Sequence, residues 1–321
     1  MPRILLFLLI VCFSSVLNAN DIIKKGTIIF PKSEKINEYT TRIPFKLVDH
    51  LIIVEAEIYN KKGNFIIDTG SESMILNKMH FNNLYKHHEK KNQSFGVMEA
   101  IDNPYEKHVK DFVLQNFKLE TLKSDVINLS HIEQSKKIKL LGIIGYSVLK
   151  DYEVFVDLHL NQITLSKVDR FGNKLDKNVY LEKIVDSLNF TLKNHTIILF
   201  GDINNKKVKF GLDTAAEFNQ ISKNLNKDLL NCFIPKKRLV LMDASNKKTE
   251  VIAGKLHRVR LSKTIYFGPM DTVLTNLKRV NEAFGTDLDG ILGYEFFKYK
   301  RTIINYQKEK LYFINYPIKR H

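Results

Sequence analysis

The sequence predicts a mainly β chain built as two similar halves, and three observations predict it. A strand-like apolar run that ends on an acid, Phe65-Ile66-Ile67-Asp68-Thr69-Gly70-Ser71, returns 145 positions later as Phe210-Gly211-Leu212-Asp213-Thr214-Ala215-Ala216. A glycine block, Gly142-Ile143-Ile144-Gly145-Tyr146, returns 148 positions later as Gly290-Ile291-Leu292-Gly293-Tyr294. Helix signals are few, and short alternating apolar runs are bounded by turn residues along most of the chain.

The flanking residues make this a repeat and not a chance match. At the first offset, without a gap, Phe45, His50, Ile52, Ile58, Asn60, Lys61, Glu72 and Lys78 fall on Phe190, His195, Ile197, Ile203, Asn205, Lys206, Glu217 and Lys223. A period this long describes two whole lobes and not a solenoid. A buried strand rarely ends on a carboxylate without a use for it, and each half supplies one.

On these two cassettes and two glycine blocks, the chain resembles the pepsin and retropepsin superfamily of aspartic proteases. It is most similar to bacterial exported proteins that carry two retropepsin-like units in one chain, over roughly residues 40–315. The resemblance implies two pseudo-symmetric retropepsin-like (acid protease) β-barrel lobes with a cleft between them, each with a flap hairpin. It implies aspartic endopeptidase activity with Asp68 and Asp213 as the catalytic pair. It also implies that Thr69 and Thr214 hydrogen-bond across the lobe axis, that Gly70 brings its N–H to the carboxylate, and that the Ser71 hydroxyl donates to the outer oxygen of Asp68. Ala215 departs from the pattern, where glycine is usual. Its methyl is expected to crowd the opposing loop or force a poor backbone angle, at about 1–3 kcal/mol. Because Ala216 lacks the hydroxyl of Ser71, Asp68 is expected to ionise first and Asp213 to keep the proton.

In chain order, residues 1–19 read as a cleavable secretory signal, with Arg3 ahead of an apolar run and Leu17-Asn18-Ala19 before the cut. Cys12 follows Val11, which is larger than the residue usual at a lipoprotein site, so ordinary cleavage to a periplasmic or secreted protein is expected. Cleavage leaves Cys232 alone, without an intramolecular disulfide. Residues 20–42 form a polar lead-in, 43–168 the first lobe, 169–185 a linker and 186–321 the second lobe.

Strands are expected over 45–48, 51–59 and 64–67, with a turn at Asn60-Lys61-Lys62-Gly63, and again over 74–76. A helix or loop covers 81–91, where His87 and His88 lack a third ligand. One strand over 95–101, a turn at Asp102-Asn103-Pro104 and a strand over 105–109 form the expected first flap, with Val97 and Met98 toward substrate. The counterpart runs over 239–244 with Leu241 and Met242, turns near 245–247 and returns over 249–252. Such apolar flap residues suggest hydrophobic side chains flanking the cleaved bond. Strands continue over 112–129 and 256–274, the glycines of the two blocks mark close backbone approaches, and paired strands over 150–165 and 298–313 close each lobe.

At 321 residues and 44% hydrophobic content the chain can bury a large core. Its formal net charge of +15 would suit nucleic acid, but the lysines are scattered in short clusters such as Lys206-Lys207, Lys236-Lys237-Arg238 and Lys247-Lys248. No zinc-ligand spacing or RNA-binding aromatic motif accompanies them, so a solvated basic surface is expected, with no nucleic-acid partner. Weak attraction to an anionic envelope surface stays open. The partner expected is a peptide or protein substrate, and a monomer suffices because both lobes share one chain.

Two carboxylates about 3 Å apart cannot both ionise comfortably, so a pair of the aspartic-protease kind shares a proton and titrates as a unit. The ionised acid takes a proton from water while the protonated one holds the scissile carbonyl oxygen. Water attacks directly, so the chemistry needs no cofactor, no metal and no covalent intermediate. The alternative is a catalytically inactive two-lobed protein that binds a peptide or an envelope partner in the same cleft. Ala215 is the residue that separates the two readings.

Overall fold

The structure, a computed structural model, describes residues 7–8, 12–13, 28–81, 94–96, 100–101, 105–109, 111–119, 122–177, 182–242 and 248–315. It is mainly β, in curled sheets. The strand Lys61–Ile67 shows how the first acid is reached: it starts on two exposed lysines and ends on four buried residues. Its inner end is bracketed by Leu51–Ile58, antiparallel, and Leu140–Ile144, parallel. A strand with neighbours on both edges and cover on both faces is apolar throughout, as Phe65-Ile66-Ile67 is.

The same pairing order occurs around the second acid. Leu140–Ile144 also pairs antiparallel with Met74–Asn77, which pairs parallel with Leu122–Ile127. In the later half Lys206–Leu212 lies between Thr196–Ile203 and Gly290–Leu292, and Gly290–Leu292 pairs with Asn219–Ser222, itself parallel to Met270–Thr275. The glycines permit these crossings. A Cβ at Gly142 would lie 2.1 Å from the Ile75 carbonyl oxygen, and one at Gly293 would lie 2.2 Å from that of Ala216.

A seven-stranded sheet joins the halves, with Tyr152–Asp157 and Arg301–Asn305 paired at its middle, Val154 opposite Ile304. Arg301 is buried there and holds Asp157 with two bonds, 3.1 Å through Nε and 2.6 Å through Nη2. The lead-in joins this sheet, because Thr40–Pro44 pairs with Gln162–Lys167 and Glu34–Lys35 forms its edge. Among the described residues no helix is long and apolar enough to cross a membrane.

Three local expectations change. The first hairpin turn is not Asn60–Gly63 but the two residues Tyr59 and Asn60, with φ of 49° and 59°, and Lys61 already belongs to the next strand. Asn204 and Asn205 repeat that turn with φ of 50° and 64°, the doubly left-handed form that matches strand twist. Ser94–Gly96 and Ala100–Ile101 pair antiparallel, Phe95 opposite Ala100, so they are two strands and not one. Tyr105–Val109 pairs instead with Leu122–Ile127. Two short helices, Ser130–Lys136 and Lys278–Phe284, interrupt the strands; each ends on a left-handed residue, Lys137 or Gly285. The stretch carrying His87 and His88 lies outside the described residues.

Candidate active site

Both acids sit immediately after their central strands, and backbone bonds fix both. Asp68 N–H donates to the Ile144 carbonyl at 3.0 Å, and Asp213 N–H to that of Leu292 at 2.9 Å. Each loop is held by the glycine block of its own half, since Tyr146 N–H donates to Ser71 O at 2.8 Å and Tyr294 N–H to Ala216 O at 2.9 Å. Burial is complete or nearly so for Asp68, Thr69, Ser71, Asp213, Thr214 and Ala215.

The threonines exchange bonds between the halves. Thr69 N–H donates to Thr214 Oγ1 and Thr214 N–H to Thr69 Oγ1, both at 3.0 Å. Each hydroxyl then donates onward, Thr214 to the Ile67 carbonyl at 2.9 Å and Thr69 to that of Leu212 at 3.4 Å. Four buried polar groups are thereby satisfied, which ties the two acid loops to one another.

The carboxylates meet within this frame. Gly70 N–H donates to Asp68 Oδ1 at 2.8 Å, and Ser71 N–H to the same oxygen at 3.0 Å. Ala215 N–H donates to Asp213 Oδ1 at 2.8 Å. Gly70 also touches the other acid: a Cβ there would lie 2.8 Å from Asp213 Cγ. The remaining oxygens, Oδ2 of Asp68 and Oδ2 of Asp213, are buried with no donor among the described residues other than each other's carboxyl. Burying an unpaired charged oxygen is costly, and a proton shared between two facing carboxyls is the least costly remedy.

The electrostatics follow the same contacts. Burial first, then the charge of Asp213, push the Asp68 carboxyl well above the usual carboxylate range. Burial pushes Asp213 up to about 6, against the N–H groups of Ala215, Gly70 and Ala216, which favour its charge. Both carboxyls are thus raised together, and the pair titrates as a unit that shares a proton. The support expected from Ser71 does not reach Asp68, because its hydroxyl donates to the Ser73 carbonyl at 3.0 Å.

Ala215 also differs from expectation. It has no left-handed φ, and its side chain packs in the first half's core with Ile53, Ile66, Ile75 and Ile143. The methyl is fully buried there. Gly70 is the position without room.

Of the expected flap residues, Val97 and Met98 lie outside the described residues. Leu241 is buried on the strand Phe233–Met242, where it packs with Leu239, Val251 and Ala253. Met242 ends that strand, opposite Lys248. The hairpin is longer than the strands expected over 239–244 and 249–252, and its turn lies outside the described residues.

Several residues near the acids had no assigned role. His50 stacks on Tyr294 with ring centres 4.0 Å apart, and its Nδ1 lies 3.1 Å from the Glu217 carbonyl oxygen. His195, its repeat partner, is buried edge-on to Phe284 at 5.2 Å; burial draws its pKa down to about 4, so the ring is neutral. Lys136, with a fully buried side chain, pairs with Glu217 at 2.6 Å and Asp49 at 3.1 Å. The repeat of His50 as His195, of Glu72 as Glu217 and of Tyr146 as Tyr294 was the available signal. Among the described residues no group of three or more His, Cys, Asp or Glu is placed to hold a metal.

No protein-family profile matches the chain, and no curated protein does. Among solved structures the chain is similar to a retropepsin-like aspartic protease from Rickettsia conorii, at 16% identity and a TM-score of 0.29, over 44% of this chain and 97% of that one.

Proposed function

We propose that the chain is an exported, two-lobed aspartic endopeptidase of the retropepsin-like kind, hydrolysing peptide bonds with water activated between Asp68 and Asp213. The observation that carries this reading is the reciprocal Thr69–Thr214 exchange, which brings together two buried acids whose Oδ2 atoms have no donor among the described residues other than each other's carboxyl. Ionised Asp213 takes a proton from the attacking water, and protonated Asp68 donates to the scissile carbonyl oxygen. The water oxygen bonds to the carbonyl carbon, giving a tetrahedral diol. Its collapse breaks the C–N bond as Asp213 passes the water's proton to the leaving nitrogen and Asp68 takes back a proton from the diol hydroxyl. The hairpin of Phe233–Met242 and Lys248–Leu256, whose base shares a pocket with Glu217 and Phe218 of the second acid loop, would hold an extended peptide by strand addition. The non-catalytic alternative drew on Ala215, and two features weaken it: the Ala215 N–H keeps its bond to Asp213, and the methyl packs in the core.

The test is cleavage of an unbiased peptide mixture by the chain from residue 20 onward, beside Asp68→Asn and Asp213→Asn. Cleavage by the parent, reduced at least about a thousandfold in both variants, is the expected result. Equal cleavage by parent and variants would reject the two acids as the catalytic pair.

A further inference from the structure

A pocket of about 300 Å³ opens beside the second acid loop, at the low end of the range for small-ligand sites, about 300–1,000 Å³. Glu217 and Phe218, directly after Asp213-Thr214-Ala215-Ala216, form one wall, and the base of the Phe233–Met242 and Lys248–Leu256 hairpin forms the other. The floor is apolar, with Phe218 packed against the cluster of Leu239 and Ala253. His50 from the first half closes one side, fixed on Tyr294.

Three lysines and three carboxylates line this pocket, but they are not paired with one another throughout. Its three carboxylates are already engaged: Glu217 with Lys136 at 2.6 Å, Asp271 with Lys255 at 2.7 Å and Glu295 with Lys298 at 3.1 Å. Lys236 and Lys237 also line it, both exposed, and neither has a carboxylate partner among the described residues. Consecutive strand residues normally point to opposite faces. Here the register shifts between Pro235 and Lys237, so that Pro235 faces Gly254 and Lys237 faces Ala253, leaving Lys236 as the extra residue. A bulge of this kind re-aims a side chain, and this one brings two adjacent ammonium groups to one pocket.

We infer that this pocket is a specificity subsite for an acidic peptide side chain, an Asp or Glu whose carboxylate meets Lys236 and Lys237 while its methylenes lie on Phe218 and Leu239. The inference rests on the peptide-cleft reading above and deepens it by naming a substrate class. Acidic segments are thereby preferred over neutral ones, and the preference weakens with salt.

The experiment uses Asp213→Asn, so that peptides are held without turnover. Two fluorescein-labelled pools of decapeptides are compared, identical in sequence except that one carries Glu, and the other Gln, at each position in turn around a central Leu-Phe. The Glu pool is expected to bind about tenfold more tightly, through one position in the register. The difference disappears in Lys236→Gln/Lys237→Gln and inverts in Lys236→Glu/Lys237→Glu. Equal affinity for the two pools, no binding of either, or a Glu preference that survives charge reversal overturns the inference. Cleavage of both pools by the parent at equal rates removes the subsite while leaving the protease in place. A Glu preference in a parent that cleaves neither pool keeps the subsite and removes the protease.

Discussion

At the scale of the residue, Asp68 and Asp213 differ because their surroundings differ, although their cassettes repeat. Asp213 has the N–H groups of Ala215, Gly70 and Ala216 about it, whereas Asp68 has those of Gly70 and Ser71. With the Asp213 carboxyl raised to about 6 it stays protonated to higher pH than an ordinary aspartate, and the base it supplies is absent below that point. The rate of peptide cleavage is therefore expected to rise with pH through an acidic limb near 6, and to fall again where the second proton of the pair is lost. A pH–rate profile with a plateau down to pH 4 contradicts that upward shift. The two third positions of the cassettes provide a second check. Gly70→Ala places a methyl 2.8 Å from Asp213 Cγ and is expected to lower activity at least about a hundredfold. Ala215→Gly removes a core methyl and is expected to cost about 1–2 kcal/mol of stability, with cleavage within a few-fold of the parent.

At the scale of the element, the acids are placed by two loops and the threonines that cross between them. Thr69→Val leaves the Thr214 N–H buried without an acceptor, a loss of about 1–3 kcal/mol, and Thr214→Val does the same to Thr69. Because both residues belong to one network, the double variant is expected to cost clearly less than the sum of the two singles, as measured by urea unfolding. Additive losses would mean that the bonds act separately. Much at this scale was legible in the sequence. Phe65-Ile66-Ile67 gave the central strand and its end at Asp68, and the four glycines marked where strands cross too closely for a side chain. The Tyr59-Asn60 turn was misplaced because Asn60-Lys61-Lys62-Gly63 looks like a loop, while strand pairing of Lys61 with Ile58 shortens it to two residues. The helices Ser130–Lys136 and Lys278–Phe284 were missed because a helix of seven residues offers less than two turns of periodic signal.

At the scale of the whole molecule, the halves are joined by more than the threonines. His50 reaches the Glu217 loop, Lys136 pairs with Glu217, and the shared sheet buries Arg301 against Asp157. These contacts were hidden in the sequence, because a charge is written the same way whether it is solvated or buried against a residue some 80 positions distant. Nothing in the residues around Lys136 announces that the lysine neutralises Glu217. Lys136→Met is expected to cost about 3–5 kcal/mol by taking the ammonium group away from the buried Glu217 carboxylate, and Lys136→Met/Glu217→Leu to recover most of that loss. A single variant as stable as the parent would show that the pair is not anchoring the Asp213 loop. The central claim is that one carboxyl from each half forms a single proton-sharing site, and the most direct measurement is the titration of the aspartate ¹³Cγ resonances in the folded chain. Two linked steps are predicted, both displaced above the ordinary carboxylate range, with Asp68→Asn shifting the Asp213 step and Asp213→Asn shifting that of Asp68. Two independent titrations in the ordinary range near pH 4, each unchanged when the other acid is replaced, would contradict the account.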